Sequence, residues 1–103
     1  MLIVTTDTVK GREIQEVIGY VKGSTIQAKH VGKDIMAGLK TLVGGEIKGY
    51  ADMMNEARKI AIGRMVEEAE SKGANAIVGF RLQSSAVMQG ASEIIAYGTA
   101  VKL

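Results

Sequence analysis

Residues 49–73 have the sequence GYADMMNEARKIAIGRMVEEAESKG, and this stretch decides the fold. Apolar residues recur at three- and four-residue spacing, which predicts a long α-helix that ends at Gly73. They form two stripes, the second offset from the first by about a third of a turn. The first contains Tyr50, Met53, Met54, Ala57, Ile60, Ala61 and Met65, and the second contains Ala51, Ile62, Val66 and Ala69. A helix lying on its own sheet needs one stripe, so the second indicates another partner, either a shorter helix or a neighbouring subunit.

The segments around this helix have the alternating pattern of β-strands. We expect strands at residues 13–21, 25–28, 75–83 and 93–103, with a polar loop at 84–92. A shorter amphipathic helix is expected at residues 34–43, with Asp34 as its N-cap and Gly44 and Gly45 after its end. The predicted fold class is therefore α+β, with one long and one shorter helix in a single domain, residues 1–103.

Alternation also predicts which side chains share a face of the sheet. Ile14, Ile18 and Tyr20 are expected on one face, with Val17 and Val21 on the other. In the third predicted strand, Ala76, Val78, Phe80 and Leu82 are expected opposite Ile77, Gly79 and Arg81. In the last strand, Ile94, Ala96, Gly98 and Ala100 form a face of small residues on which a helix backbone can lie close.

Three glycines lie inside predicted strands, namely Gly19, Gly79 and Gly98. An interior glycine weakens a strand unless something uses the space that it leaves. That something could be the long helix, a β-bulge or a ligand.

Composition restricts the class of protein. The 103 residues are 47% apolar, contain no Cys and carry a net charge of +2. The absence of Cys favours a reducing compartment, and the first residues do not resemble a signal peptide, so we expect a cytoplasmic protein. No apolar stretch is long enough to span a membrane. Between Lys22 and Lys48 five Lys face two acidic residues, but Arg and stacking aromatics are missing there, so nucleic-acid binding is not expected.

Two arginines are the candidate ligand contacts. Arg58 lies between the apolar stripes of the helix, and Arg81 lies in the middle of a predicted strand, where a charge must be paired or exposed. Arg81 could form an ion pair with Glu93 or Glu16, or it could clamp a ligand carboxylate or phosphate. Tyr97, in the last strand, is the third candidate contact.

The remaining motifs give weaker indications of a functional site. The stretch 44–49, GGEIKG, is interpreted as a hinge between helices or, alternatively, as an anion site at a helix N-terminus. His30 is the only histidine, so with Asp34 and Glu46 it could build only a weak, oxygen-rich cation site. It is distant in sequence from Ser84 and Ser85, so a hydrolytic triad is not expected. The acidic residues 67, 68 and 70 are expected on a solvated helix face.

Three segments taken together resemble the YbjQ-like family. They are residues 44–58, from Gly44-Gly45 through Tyr50 to Glu56-Ala57-Arg58; residues 73–79, GANAIVG; and residues 98–101, GTAV. The opening Thr5-Thr6 and the spacing of Gly11, Ile14 and Gly19 also match, so the resemblance covers the whole chain. It implies a dodecin-like subunit, with a long helix packed across an antiparallel sheet, and a ring-shaped homopentamer.

The same family carries a heavy-metal-binding label. Soft heavy cations prefer thiolate and imidazole ligands, and this sequence has no Cys and one His. No residue is therefore assigned to a metal, and no cofactor is assigned.

These observations favour a non-catalytic homo-oligomer that binds a small molecule at its subunit interfaces, with Arg58, Arg81 and Tyr97 as contacts. Its partners would be further copies of itself and that ligand. A metal-handling module is the alternative, and an enzyme acting on a small polar substrate through Arg and carboxylate groups is a third hypothesis. No catalytic residue is assigned.

Overall fold

A computed structural model describes residues 1–27, 45–88 and 91–103, and the side chains of 27, 45–50, 53 and 91 are not described. The chain forms strand β1 (Leu2–Ile3), strand β2 (Glu16–Gln27), helix α1 (Gly45–Ser71), strand β3 (Ala76–Met88) and strand β4 (Ala91–Lys102). The α+β class is confirmed. The predicted shorter helix at 34–43 lies outside the described residues.

The four strands form one mixed sheet in the order β1-β3-β4-β2. β4 pairs antiparallel with both β2 and β3, whereas β1 pairs parallel with β3, with Leu2 opposite Ala76. The expectation of a purely antiparallel sheet is therefore wrong at this edge. β1 has only two residues, which is too short for an alternating pattern that would predict its pairing with β3.

Helix α1 packs across β2 and β4 and barely touches β3. Its buried side chains recur every four residues, at Ala57, Ala61, Met65 and Ala69. Ile62 and Val66 are half-buried and pack against the same core. Of the second predicted stripe, Ala69 is fully buried in the same core, whereas Ala51 is exposed. Three of its four residues therefore pack at least partly against their own sheet, and the expectation of a further partner stays a prediction.

Helix and sheet approach most closely at Gly23. A Cβ atom on this residue would overlap the backbone of Ala61 and Met65. The small residues predicted to receive the helix, Ala96 and Ala100, are fully buried in the core beneath it, which confirms that prediction. Gly98 instead lies against β3, where a Cβ would come within 2.6 Å of the Ile77 Cγ2.

Two interior glycines lie at β-bulges. Gly19 has φ 143° and Gly79 has φ 63°, and the pairing register shifts at both places. A bulge adds one residue and so reverses the faces of all the residues that follow it. The predicted faces are consequently wrong beyond each bulge.

The corrected faces follow from the packing. Ile18 and Val21 both join the core under the helix, while Tyr20 is 71% exposed on the opposite, outer face. In β3, Ile77 and Phe80 lie together under the helix, although strict alternation separates them.

The outer face has a second, smaller core at the base of the sheet. Ala76, Val78 and Val101 are buried there, and Val4, Val9, Ile14 and Leu103 pack against them. The N-terminal segment is held in place by backbone hydrogen bonds from Val4 N to Ile77 O (2.9 Å) and from Gly79 N to Thr6 O (2.8 Å). This segment covers the base of β3 and leaves the rest of that strand bare.

Several element ends differ from the predictions. β2 is one continuous strand through Gln27, and α1 begins at Gly45, so residues 45–49 are helical rather than a hinge. The predicted loop at 84–92 is wrong, because β3 continues to Met88 and β4 begins at Ala91.

The extended hairpin makes the molecule long. Residues 81–88 are exposed without exception, and we call this part of β3, with the facing residues 91–95 of β4, the arm. The principal extents are 54 × 26 × 18 Å and the radius of gyration is 16.7 Å. A compact domain of this length has a radius of about 13 Å.

Candidate functional site: a groove between the helix and the arm

A groove lies where helix α1 leaves β3 uncovered. It has a volume of about 210 Å³ and is lined by Met54, Arg58, Leu82, Gln83, Ser84 and Ile94. The helix lies over β2 and β4, so its flank and the start of the arm form the two walls. The groove is thus a direct consequence of a sheet that is wider than the helix that covers it.

One flank of the helix supplies the first wall. Met54, Arg58, Ile62 and Val66 recur at four-residue spacing and therefore lie along one line of the helix. Met54, Ile62 and Val66 are half-buried against the core, whereas Arg58 is exposed. The cation consequently stands at the mouth of the groove.

The described residues orient the guanidinium group of Arg58 but do not neutralise its charge. Its Nη1 donates a hydrogen bond to Asn55 Oδ1 at 2.8 Å. The ion pairs among the side chains that the structure describes are Lys72–Glu68 and Lys102–Glu16, and neither includes this arginine. Guanidinium has five N–H donors, so most of them remain available to a ligand.

Arg81 and Tyr97 lie on the outer face of the sheet. They are directly opposite each other in the β3–β4 pairing, and Tyr97 is 37% exposed. Arg81 follows the bulge at Gly79, and the register shift there places it on the side away from the helix. The structure therefore brings these two candidates together and separates them from Arg58.

The expected ion pair of Arg81 is not formed within the described part of the chain. Its Nη1 donates hydrogen bonds to Thr5 O at 3.0 Å and Phe80 O at 2.8 Å. Glu16 instead approaches Lys102, at 3.7 Å. Arg81 therefore fastens the N-terminal segment to β3, which is a structural role.

Sequence reasoning missed most of the groove. Leu82 was predicted on the same face as Ala76, Ser84 was predicted in a loop, and Gln83 was predicted at the end of a strand. The signal was Gly79, because a bulge at that glycine puts Leu82 on the helix side, near Ile94 and Met54.

The acidic residues of α1 include one with defined partners. Glu68 Oε2 accepts a hydrogen bond from the backbone N–H of Lys22 at 3.3 Å, and Glu68 Oε1 pairs with Lys72 at 3.3 Å. Arg64 Nη1 similarly donates to Ser24 O at 2.6 Å. These helix side chains cover the free edge of β2, so Glu68 is not simply solvated.

A bound metal ion needs several donor side chains close to one point. Within the described ranges no group of three or more His, Cys, Asp or Glu residues is arranged to hold an ion. His30 and Asp34 lie outside those ranges, and the side chain of Glu46 is not described. The described residues thus do not fit a heavy-metal site.

A family model described as "Putative heavy-metal-binding", YbjQ, matches residues 1–103. The chain belongs to the YbjQ family. It is 67% identical to a UPF0145 protein of Halalkalibacterium halodurans, over all of this chain and 97% of that protein. It is 61% identical to a UPF0145 protein of Vibrio parahaemolyticus, over all of this chain and 98% of that one.

A solved structure supports the fold of this YbjQ-family chain. It is a Pediococcus pentosaceus protein of unknown function from the DUF74 family, with a TM-score of 0.65 and 18% identity over 100% of this chain and 97% of that one. At this identity the likeness concerns the fold alone. No helix in the described residues is both long and apolar enough to cross a membrane.

Proposed function

We propose that this YbjQ-family protein is a non-catalytic homo-oligomer that binds a small molecule at its subunit interfaces. The observation that carries the proposal is the arm, because residues 81–88 lie outside the cover of the helix with every side chain exposed. β2 pairs with β4 as far as Gln27–Ser92, but α1 makes little contact with β3, so the helix does not pack on the exposed side chains of the arm. A second copy of the chain would supply that packing.

Exposed apolar side chains support the assembly. Val87 and Met88 at the end of the arm are 47% and 68% exposed, and Tyr20 and Ile26 on the outer face are 71% and 61% exposed. β1 covers only the base of β3, so the edge of β3 along the arm has no neighbouring strand among the described residues. Exposed strand edges of this kind are templates for pairing with another chain. A dodecin-like ring of five copies is the arrangement that the family resemblance favours.

The groove supports binding at an interface. It lies at the foot of the arm, between Arg58 of the helix and Leu82 of β3, so a copy covering the arm would also close the groove. Its described lining contains apolar side chains, an arginine and a hydroxyl, with no carboxylate or imidazole to transfer a proton. That composition favours binding over acid–base catalysis.

The assembly is tested by sedimentation and native mass spectrometry of the full chain. We expect an oligomer at micromolar concentration, and a predominantly monomeric species would overturn the proposal. The double variant Val87→Asp/Met88→Asp should shift the protein to smaller species and keep its circular dichroism spectrum. Val17→Asp is the matched control, because Val17 is 66% exposed but lies at the opposite end of the sheet, and it should leave the assembly unchanged.

Metal handling is the second candidate, and the description of the family is what favours it. Its single imidazole, His30, is the residue to test. If the protein uses a soft cation, calorimetry should show binding of Zn²⁺ that His30→Ala weakens strongly. Unchanged metal retention in that variant would contradict the metal hypothesis.

A further inference from the structure

We infer that the groove between α1 and the arm binds a small aliphatic carboxylate, with Arg58 holding the carboxylate and Leu82 on the floor. This inference rests on the proposed binding function and adds the chemical class of the ligand. It follows from three properties of the groove, namely the sign of its charge, the character of its floor and its size.

The charge comes from Arg58. The side chain is held at the mouth by its bond to Asn55 Oδ1, a neutral acceptor that fixes the guanidinium without cancelling its charge. Arg58 takes part in no ion pair with the residues that the structure describes. A planar guanidinium with free donors matches the two oxygens of a carboxylate, which it binds through parallel hydrogen bonds.

The floor is apolar. Met54, Leu82 and Ile94 line it, and Ile94 is only 4% exposed whereas Leu82 is 41% exposed. Leu82 lies on the helix side of the sheet but just beyond the cover of the helix, so its methyl groups face the open groove. An aliphatic chain placed there removes this surface from water, at about 25 cal/mol for each Å².

The volume of the groove and its single positive charge restrict the class of ligand. At about 210 Å³ the groove is smaller than typical drug-sized ligand pockets, which span about 300–1,000 Å³. Arg58 is the one cation among the described lining residues, so the groove offers nothing for the several charges of a nucleotide. Ser84, on the helix side of the strand like Leu82, adds a hydroxyl to the lining. A short monocarboxylic acid satisfies all of these features.

The test uses the purified full-length protein with hexanoate, 1-hexanol and acetate as ligands. Isothermal titration calorimetry measures affinity, and methyl NMR shifts of Leu82 and Ile94 locate the binding. We expect hexanoate to bind saturably, and both 1-hexanol and acetate to bind at least about tenfold more weakly, because each lacks one half of the interaction.

Two arginine variants provide the matched comparison. Arg58→Gln should weaken hexanoate binding by about tenfold or more and leave 1-hexanol binding unchanged. Arg64→Gln removes an arginine of the same helix that bonds to Ser24 O, and it should bind hexanoate as the unmodified protein does.

Each outcome has a defined meaning. Saturable hexanoate binding that shifts Leu82 and Ile94 and depends on Arg58 supports the inference. If the protein assembles as proposed but hexanoate binds no better than 1-hexanol, or binds equally well to Arg58→Gln, the carboxylate class is wrong and the assembly stands. If the protein is monomeric in sedimentation, the proposed function fails, whether or not hexanoate binds.

Discussion

The arm and the rest of the hairpin, residues 76–80 and 96–102, which we call the base, are built from the same two strands. The base is packed on both faces, whereas the β3 side of the arm is exposed. At the base, Ile77 of β3 and Val101 of β4 are fully buried, with α1 on one face and the N-terminal segment on the other. From residue 81 onward β3 has no buried side chain. One β-hairpin thus passes from a region packed on both faces to a region in which every side chain of β3 is exposed, although β4 still pairs with β2 as far as Ser92.

The difference shows where this chain completes its own structure. Small residues at the base, such as Gly23, Ala61 and Ala96, let the helix backbone lie close to the sheet and seal the core. The arm has no such cover, and its exposed apolar side chains include Val87 and Met88. The base explains why a single subunit folds, and the arm is what favours a second copy.

Ala61→Glu should have the largest effect on the base. Ala61 is fully buried where the helix backbone meets Gly23, so a carboxylate there would be stripped of water without a partner. We expect the protein to unfold or to lose at least about 3 kcal/mol of stability. Circular dichroism melts measure this loss.

Gly63→Glu is the control for that variant. Gly63 is exposed two residues further along the same helix, and a Cβ there meets nothing within 4 Å. The same charge at this position should be tolerated. Equal melting of Ala61→Glu and the unmodified protein would show that this face of the helix is not buried.

Truncating one methionine in each region compares base and arm directly. Met65 is fully buried under the sheet, and Met88 is 68% exposed at the tip of the arm. Met65→Ala should cost about 2–5 kcal/mol in urea denaturation at any protein concentration. Met88→Ala should cost within about 0.5 kcal/mol in dilute solution and more as the concentration rises, because a neighbouring copy then covers it.

The comparison fails if the two truncations cost the same in the most dilute sample. Such a result would mean that Met88 is buried within its own subunit. A Met88→Ala cost that stays small at every concentration would instead contradict the role of the arm in assembly.

The sequence predicted the base better than the arm. The long helix, its end near Gly73 and the small-residue face of β4 all followed from periodicity, because these residues pack within one chain. The predicted faces of β2 and β3 were wrong beyond Gly19 and Gly79, because strict alternation of side chains holds only as far as the next bulge. Gly19 and Gly79 could be noticed in the sequence, but the extra residue that each inserts is visible only in the pairing with β4.

The groove was less predictable than the fold. Arg58 was recognised from its place between apolar stripes, but its neighbours come from β3 and β4, which are distant in sequence. The polar residues Ser84 and Ser85 suggested the start of a loop, since hydrophilic side chains predominate there. They form a strand because β4 supplies their backbone partners, and no local pattern records that pairing.

Gly23→Ala tests how the base is sealed. The added Cβ would meet the backbone of Ala61 and Met65, which cannot rotate away as a side chain can, so the helix must shift from the sheet. We expect a loss of about 2 kcal/mol, within the range for overpacked cores. Chemical denaturation measures this loss, and a stability equal to that of the unmodified protein would show that the helix lies further from β2.

Glu68→Gln should have the smallest effect, on the edge of β2. Glu68 accepts the Lys22 N–H and pairs with Lys72, but its side chain is 35% exposed, so solvent weakens both interactions. We expect a loss of about 0.5 kcal/mol, part of which disappears at high salt because the Lys72 pair is screened. Glu67→Gln, on the exposed face of the same turn, should leave stability unchanged. If both variants cost the same, helix side chains do not protect the edge of β2, and the base is no better protected there than the arm.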